Sequence, residues 1–239
     1  MLKPAGWSVR DRRPALVFFF GGGWTHGTPE RSAQWAKFAA DLGMVGIMPD
    51  YRTKERFDTS PLAAVADSRA ALRWVQDHAA ELGVAADKII VGGDSSGGHL
   101  ALWTAITASP PGSTASEAPS AKPAALLLFS TVSDTSPETG YTPLRFGDQA
   151  TALSPLHHLD AVMPLVLAFH GDADLTVPFR QSVALRDKLV ASGNVCELFP
   201  VPGGDHGFLK ERPEWRERAQ KIIREFLVKR GLLEAPSKR

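Results

Sequence analysis

An α/β fold with a mostly parallel central sheet and helices on both faces is the architecture this sequence predicts. Three observations carry it. Short, uninterrupted apolar runs of strand length recur along the chain. Stretches with apolar residues three and four apart separate most of them. Finally, Gly-rich or Asp-rich turns follow the runs, where such sheets gather their working groups.

Ala15 to Phe20 reads as the first buried strand, ending in Gly21-Gly22-Gly23. Trp35, Phe38, Ala39 and Leu42 mark a helix face. Met44 to Met48 is the next strand, stopped by Pro49. Ser60-Pro61 supplies an N-cap and a first-turn proline for a long helix whose apolar face runs to Leu82, with Gly83 as its C-terminal cap. Lys88 to Gly93 is a third strand, Asp94 to Gly98 a tight turn, and His99 to Ala108 a helix of small residues. Residues 109–123, rich in Pro, Ser, Ala and Gly, read as a surface loop. Ala125 to Phe129 is a strand, and residues 131–160 are an irregular segment long enough to suggest a functional loop. Strands over Leu165 to His170 and Val195 to Val201 flank a helix over Phe179 to Ser192. The last helix carries Trp215, Ala219, Ile222, Ile223, Phe226 and Leu227 on one face, with Glu217–Lys221 and Glu225–Lys229 pairs on its wet side. No repeat or linker divides the chain, so residues 1–239 read as one domain.

Composition narrows the function. With 27 Lys+Arg against 26 Asp+Glu the net charge is +1, which argues against reading a phosphate backbone, so nucleic acid is not an expected partner. No run reaches the roughly 18 apolar residues of a membrane span. The N-terminus shows no basic-then-apolar leader, and the compartment stays open: cytoplasm, or exterior after removal of a leader. The one cysteine, Cys196, excludes an internal disulfide and any multi-cysteine zinc site. His157-His158 is a poor metal pair because adjacent side chains diverge, and no metal or cofactor is expected. Oligomeric state, monomer or homodimer, is not fixed by these features.

The turns after the strands carry chemistry. Gly93-Asp94-Ser95-Ser96-Gly97 is G-x-S-x-G between a strand and a helix, the context in which a sharp turn lifts a serine hydroxyl clear of the sheet. A serine needs a histidine to take its proton and a carboxylate to orient that histidine. Ser95 is followed, at later strand ends, by Asp172 and Asp174, and then by Asp205 and His206. Asp205 adjoins His206 and is the weakest candidate for the acid; spacing leaves Asp172 and Asp174 open. Gly21-Gly22-Gly23 can aim backbone N–H groups at a developing oxyanion. It lacks the Gly-Lys-Ser/Thr or G-x-G-x-x-G pattern of a phosphate loop. Trp24, His26 and Phe208 are candidate substrate contacts, Tyr141 and Phe146 candidate lid contacts, and His99 and Cys196 structural residues. The basic end, Lys229-Arg230 and Lys238-Arg239, reads as a solvated tail.

Phe20 to Gly27, Asp50-Tyr51-Arg52, Gly92 to Leu100, His170 to Pro178 and Gly203 to Phe208 occur in one order along nearly the whole chain. In this the sequence resembles the lipase/esterase group of the α/β-hydrolase family. That group carries an H-G-G-G-type loop, a G-D-S-A-G-G nucleophile segment, an H-G-x-x-D-x-x-V-P acid segment and a late G-x-x-H-G-F segment. The resemblance implies an α/β-hydrolase fold with Ser95 as nucleophile, Asp174 rather than Asp172 as acid, and His206 as base. It further implies oxyanion donors at the amides of Gly22, Gly23 and Ser96, and a structural role for Asp50-Tyr51-Arg52. Three departures stand out. Phe20 replaces the loop histidine, so the loop must be anchored differently. The antiparallel strands that usually come first are missing or cut short. No long helical insertion forms a large cap, so the site is expected to be open and bordered by Trp24, residues 131–160 and Phe208.

The expected activity is hydrolysis of small-molecule or carbohydrate esters, with short, acetyl-type acyl groups favoured. Close variants are a deacetylase of acetylated sugars such as xylan, or a small peptidase using the same triad. A dehalogenase would need a carboxylate at position 95, and a cysteine-based lactone hydrolase a thiol. The alternative of another class is a non-catalytic ligand-binding module on this fold.

Overall fold

The computed structural model describes residues 1–112 and 119–235. Part of the 109–123 loop and the terminal Lys238-Arg239 lie outside the described residues. The sheet has six strands: β1 (Arg13–Phe19), β2 (Val45–Ile47), β3 (Val84–Asp94), β4 (Ala125–Phe129), β5 (Leu165–Gly171) and β6 (Cys196–Val201). They lie in the order β2-β1-β3-β4-β5-β6, and every neighbouring pair is parallel. In place of the family's N-terminal antiparallel strands, the described residues hold one antiparallel bridge, between Leu2 and Gly46.

Among the described residues the α-helices are α1 (Ala33–Asp41), α2 (Lys54–Phe57), α3 (Pro61–Asp77), α4 (Ser96–Trp103), α5 (Arg180–Ala191), α6 (Phe208–Glu211) and α7 (Pro213–Lys229). Alternation along the strands splits the core in two, because successive side chains point to opposite faces. Ala15, Val17, Phe19, Leu126 and Leu128 pack with Val65 and Leu72 of α3, Leu102 of α4 and Leu185 of α5. Leu16, Phe18, Leu127, Phe129 and Phe169 pack with Trp35 of α1 and Ile223 and Phe226 of α7. Both faces are buried, which is why the strands read as continuous apolar runs rather than alternating ones. On the α1/α7 side an aromatic stack runs from Phe18 through Trp35, Phe129 and Phe169 to Phe199, with successive ring centroids 4.5–5.4 Å apart.

Several boundaries differ from expectation. Helix α3 stops at Asp77, because residues 78–83 fold into turns that end on Gly83 at φ 62°. β3 begins four residues early, since Val84 pairs with Arg13 before a register shift. α4 ends at Trp103, where the buried Arg69 donates to the carbonyls of Trp103 (3.0 Å) and Ile106 (2.7 Å), satisfying acceptors that a longer helix would have used. On α7 the ion pair joins Lys221 to Glu225 at 4.0 Å, not Glu217 to Lys221.

Residues 131–160 carry only short 3₁₀ turns, at Pro143–Arg145, Gly147–Gln149 and Pro155–His157. The start of the segment is firmly held. The Gln181 side chain accepts the amides of Ser133 (2.9 Å) and Asp134 (2.7 Å), and the buried Asp134 carboxylate accepts Ser136 N–H (2.8 Å) and the Ser154 hydroxyl (3.0 Å). No helix of the described residues is long and apolar enough to cross a membrane.

Candidate active site

Ser95 sits between β3 and α4 at φ 53°, ψ −119°, a region that side chains with a Cβ rarely adopt. The turn closes only because its neighbours lack side chains. A Cβ on Gly97 would collide with the Phe19 carbonyl oxygen, and one on Gly93 with the Gly97 backbone. The Ser95 amide donates to the Phe129 carbonyl at 2.9 Å, fixing the turn to the end of β4. Ser95 is 8% exposed.

Asp174 follows β5 in a turn of its own making. Its Oδ1 accepts the amides of Thr176 and Val177, both at 2.9 Å. Its Oδ2 accepts Nδ1–H of His206 at 2.7 Å, which leaves Nε2 of that imidazole as the lone-pair nitrogen. His170 Nε2 lies 3.2 Å from the same oxygen and 2.8 Å from the Val177 carbonyl. A carbonyl only accepts, so Nε2 of His170 carries the proton, and Nδ1 accepts from the Ser182 hydroxyl at 2.7 Å. Burial opposes the charge of Asp174, but the bonds from His170, His206 and the Val177 amide outweigh it and hold the carboxyl well below the usual carboxylate range. Asp172 lies on the exposed side of the turn, where it accepts the Gly203 amide at 2.7 Å.

Ser95 and His206 line the same two adjoining cavities, of about 570 and 550 Å³. Among the described residues no hydrogen bond joins the Ser95 hydroxyl to the imidazole; contacts of this kind often tighten only when substrate is bound. The first cavity runs past Phe129, Ser130 and Phe208. The second runs past the glycine loop, His26, Tyr141 and Arg145.

The glycine loop is arranged around a residue whose hydroxyl the sequence reading did not use. The amides of Gly22 and Gly23 both donate to Ser96 Oγ, at 3.1 and 2.9 Å. Ser96 is fully buried, and the Tyr51 phenol lies near enough for its hydroxyl to act on it. Tyr51 donates to the Phe20 carbonyl at 2.9 Å, and its ring stacks on Phe20. Burial pushes the Tyr51 phenol far up, so it stays protonated. The Gly21 amide donates to Asp94 Oδ1 at 3.0 Å; burial also raises Asp94. The signal that could have exposed this anchor was the serine at position 96, where the resembled segment has alanine.

Two candidate contacts fall elsewhere. Trp24 was expected to border the site, but it is 2% exposed, held edge-on to His99 and Phe146, and is absent from the residues lining both cavities. Its φ of 60° lies within a turn closed by the Thr25 and His26 amides on the Gly22 carbonyl. Phe146, expected at a lid, is buried in the same cluster. His26 and Phe208 do line the cavities. His99 is structural: burial pushes it down to about 4, and its Nε2 donates to the Leu153 carbonyl at 2.8 Å. His157 and His158 bond to the Ser154 hydroxyl and the Thr151 carbonyl. Cys196 is partly exposed rather than buried, though its burial still raises the thiol to about 12. Arg31 and Arg145, both lining the second cavity, were not anticipated.

A parallel sheet with a strained serine after its third strand and an Asp-His pair after its last two is the arrangement of a hydrolase of the α/β type. A family model described as alpha/beta hydrolase fold matches residues 16–210, and the chain belongs to that family. A solved esterase from the planctomycete Thermogutta terrifontis, bound to butyrate, superposes with a TM-score of 0.89 at 37% identity, covering 99% of this chain and 90% of that one. The same esterase phosphonylated by sarin gives 0.90 at 36% identity, covering 98% and 90%. Among curated proteins, carboxylesterase NlhH of Mycobacterium tuberculosis is 39% identical over 93 residues, 38% of this chain and 28% of its own length. Esterase LipQ of the same organism is 28% identical over 218 residues, 82% of this chain and 51% of its own length. The chain thus spans at most about half of these two curated relatives.

Proposed function

We propose that this chain is a serine ester hydrolase acting through Ser95, His206 and Asp174, with a preference for short acyl groups. The observation that carries the reading is the 2.7 Å bond from His206 Nδ1 to a buried, ionised Asp174, in a cavity that His206 shares with Ser95.

Ser95 Oγ attacks the ester carbonyl as His206 Nε2 takes its proton. Asp174 keeps the proton of Nδ1 in place and stabilises the imidazolium, without itself becoming protonated. The carbonyl oxygen becomes negative beside the amides of Gly22, Gly23 and Ser96. At rest the two glycine amides donate to a neutral hydroxyl, Ser96 Oγ. A charged oxygen is the stronger acceptor and draws the same donors toward itself. The alcohol leaves with the proton from His206. Water, deprotonated by the same imidazole, then cleaves the acyl-enzyme to release the carboxylic acid and restore Ser95.

The two cavities meeting at Ser95 suit the acyl and alcohol parts of an ester. Short acyl groups fit the absence of a helical cap among the described residues, and the Thermogutta terrifontis esterase, which was solved with butyrate, supports the same size class. The test is a series of p-nitrophenyl esters of rising chain length, assayed on the wild-type chain and on Ser95→Ala. Activity is expected to peak at two to four acyl carbons and to vanish in Ser95→Ala, which should also resist labelling by an organophosphate. Full activity in Ser95→Ala sinks the nucleophile assignment. A preference for ten or more carbons sinks the short-chain reading.

A further inference from the structure

We propose that Arg31 and Arg145, packed against the glycine loop, make this site selective for esters that carry an anionic group, a carboxylate on the acyl or the alcohol part. The inference rests on the ester-hydrolase reading above.

Both guanidinium groups lie against consecutive glycines. A Cβ on Gly22 would stand 3.4 Å from Arg31 Nη1, and one on Gly23 would stand 2.5 Å from Arg145 Nη1. Any side chain at these positions would crowd an arginine. Arg145 donates to the Gly23 carbonyl at 2.8 Å and Arg31 to the Gly21 carbonyl at 3.3 Å. Each is thereby fixed to the loop through one N–H, while a guanidinium carries five donors in a planar fork. Both residues are exposed and line the cavity that holds Ser95 and His206.

Neither arginine has a carboxylate partner within 4.0 Å among the described residues, whereas Arg52 pairs with Asp67, Arg56 with Asp50 and Arg230 with Glu197. The one carboxyl-bearing residue lining that cavity is Asp94, which is partly buried, accepts the Gly21 amide through Oδ1 and feels the Arg31 charge without an ion-pair contact. The planar fork matches a carboxylate in two parallel bonds. Two such forks beside Ser95 give the mouth two positive charges that no carboxylate of the described residues contacts.

A purely structural clamp on the loop would need the same backbone bonds but would not distinguish a charged ester from a neutral one. The experiment therefore compares kcat/KM within two matched pairs on the full chain. The acyl pair is the p-nitrophenyl monoester of adipic acid against p-nitrophenyl hexanoate. The alcohol pair is 4-carboxyphenyl acetate against its neutral methyl ester. Selectivity for the charged member of at least one pair is expected to reach about fivefold at low ionic strength, the upper scale of a partly exposed charge pair. That ratio should shrink with added salt, and again in Arg31→Gln and Arg145→Gln. Neutral esters hydrolysed with no discrimination in either pair overturn the inference and leave the hydrolase reading intact. Discrimination that survives both substitutions and high salt overturns the assignment to these arginines. Failure to hydrolyse any ester overturns the hydrolase reading and the inference with it.

Discussion

Phe20 and Tyr51 are joined twice: their rings stack with centroids 4.1 Å apart and 15° between planes, and the Tyr51 phenol donates to the Phe20 carbonyl at 2.9 Å. Where the resembled esterases have a loop histidine, this chain has a phenylalanine, and the polar duty of anchoring the loop has moved. It is shared by Tyr51, which holds the Phe20 carbonyl, and by the Ser96 hydroxyl, which gathers the amides of Gly22 and Gly23. Phe20 thus supplies the stacking surface and Ser96 the polar acceptor that hold the loop.

Tyr51→Phe keeps the stack and removes the phenol; Ser96→Ala removes the acceptor on the loop. Each is expected to lower kcat on the order of tenfold, the size of one or two buried hydrogen bonds. KM should change little, because the loss falls on transition-state stabilisation. The double variant should lose less than the product of the two, since both loosen the same loop. Steady-state kinetics on a short-chain ester decide this. An unchanged or raised kcat in Ser96→Ala would show that the hydroxyl merely competes for the amides.

The two aspartates of the acid turn should separate sharply. Asp174 bonds to His206, while Asp172 serves an exposed backbone turn at Gly203. Asp174→Asn offers an amide where the imidazole needs an acceptor and favours the wrong tautomer. It is expected to cost on the order of 10³–10⁴ in kcat, as the triad's logic requires. Asp172→Asn should stay within a few fold. Comparable losses in the two variants would contradict the acid assignment.

The strands were legible because a parallel sheet buried on both faces leaves uninterrupted apolar runs, and β4 matches its expected bounds, Ala125–Phe129. The ends of α3 and α4 were not. They depend on Gly83 at positive φ and on Arg69 reaching carbonyls more than thirty residues away, and neither leaves a local pattern. At the site, Asp174 and His206 stand where the motifs put them, since each follows a strand in a parallel sheet. Trp24 could not be placed from sequence, because its direction is set by its own backbone at φ 60°. Arg31 and Arg145 were invisible for a related reason: they meet the loop from two short 3₁₀ segments, Pro29–Ser32 and Pro143–Arg145, where spacing carries no orientation.

Strain at Ser95 should be measurable apart from activity. Ser95→Ala and Ser95→Gly both delete the hydroxyl, but only glycine adopts φ 53°, ψ −119° freely. Such a conformation costs on the order of 1–3 kcal/mol, part of which glycine returns through its greater freedom when unfolded. Ser95→Gly is therefore expected to melt above Ser95→Ala in a thermal scan, with both inactive. A lower melting point for the glycine variant would mean that the turn holds Ser95 without strain.

His99 makes a last prediction, on stability rather than turnover. The ring is fully buried against Trp24 and Phe146, and burial pushes it down to about 4. In the unfolded chain a histidine titrates near 6.5, so between these values the unfolded state binds the extra proton and stability falls as pH falls. From pH 7 to pH 5 this one group should remove about 2 kcal/mol. Asp174 does not contribute over that range, because its stabilisation is lost only as pH drops below the ordinary carboxylate range near 3.9. His99→Phe deletes the titrating group and leaves the Leu153 carbonyl its second donor, Trp103 Nε1 at 3.0 Å. Urea midpoints at pH 7 and pH 5 should therefore lie closer together in His99→Phe than in the wild type. Equal spacing in the two proteins would assign the acid sensitivity to other groups.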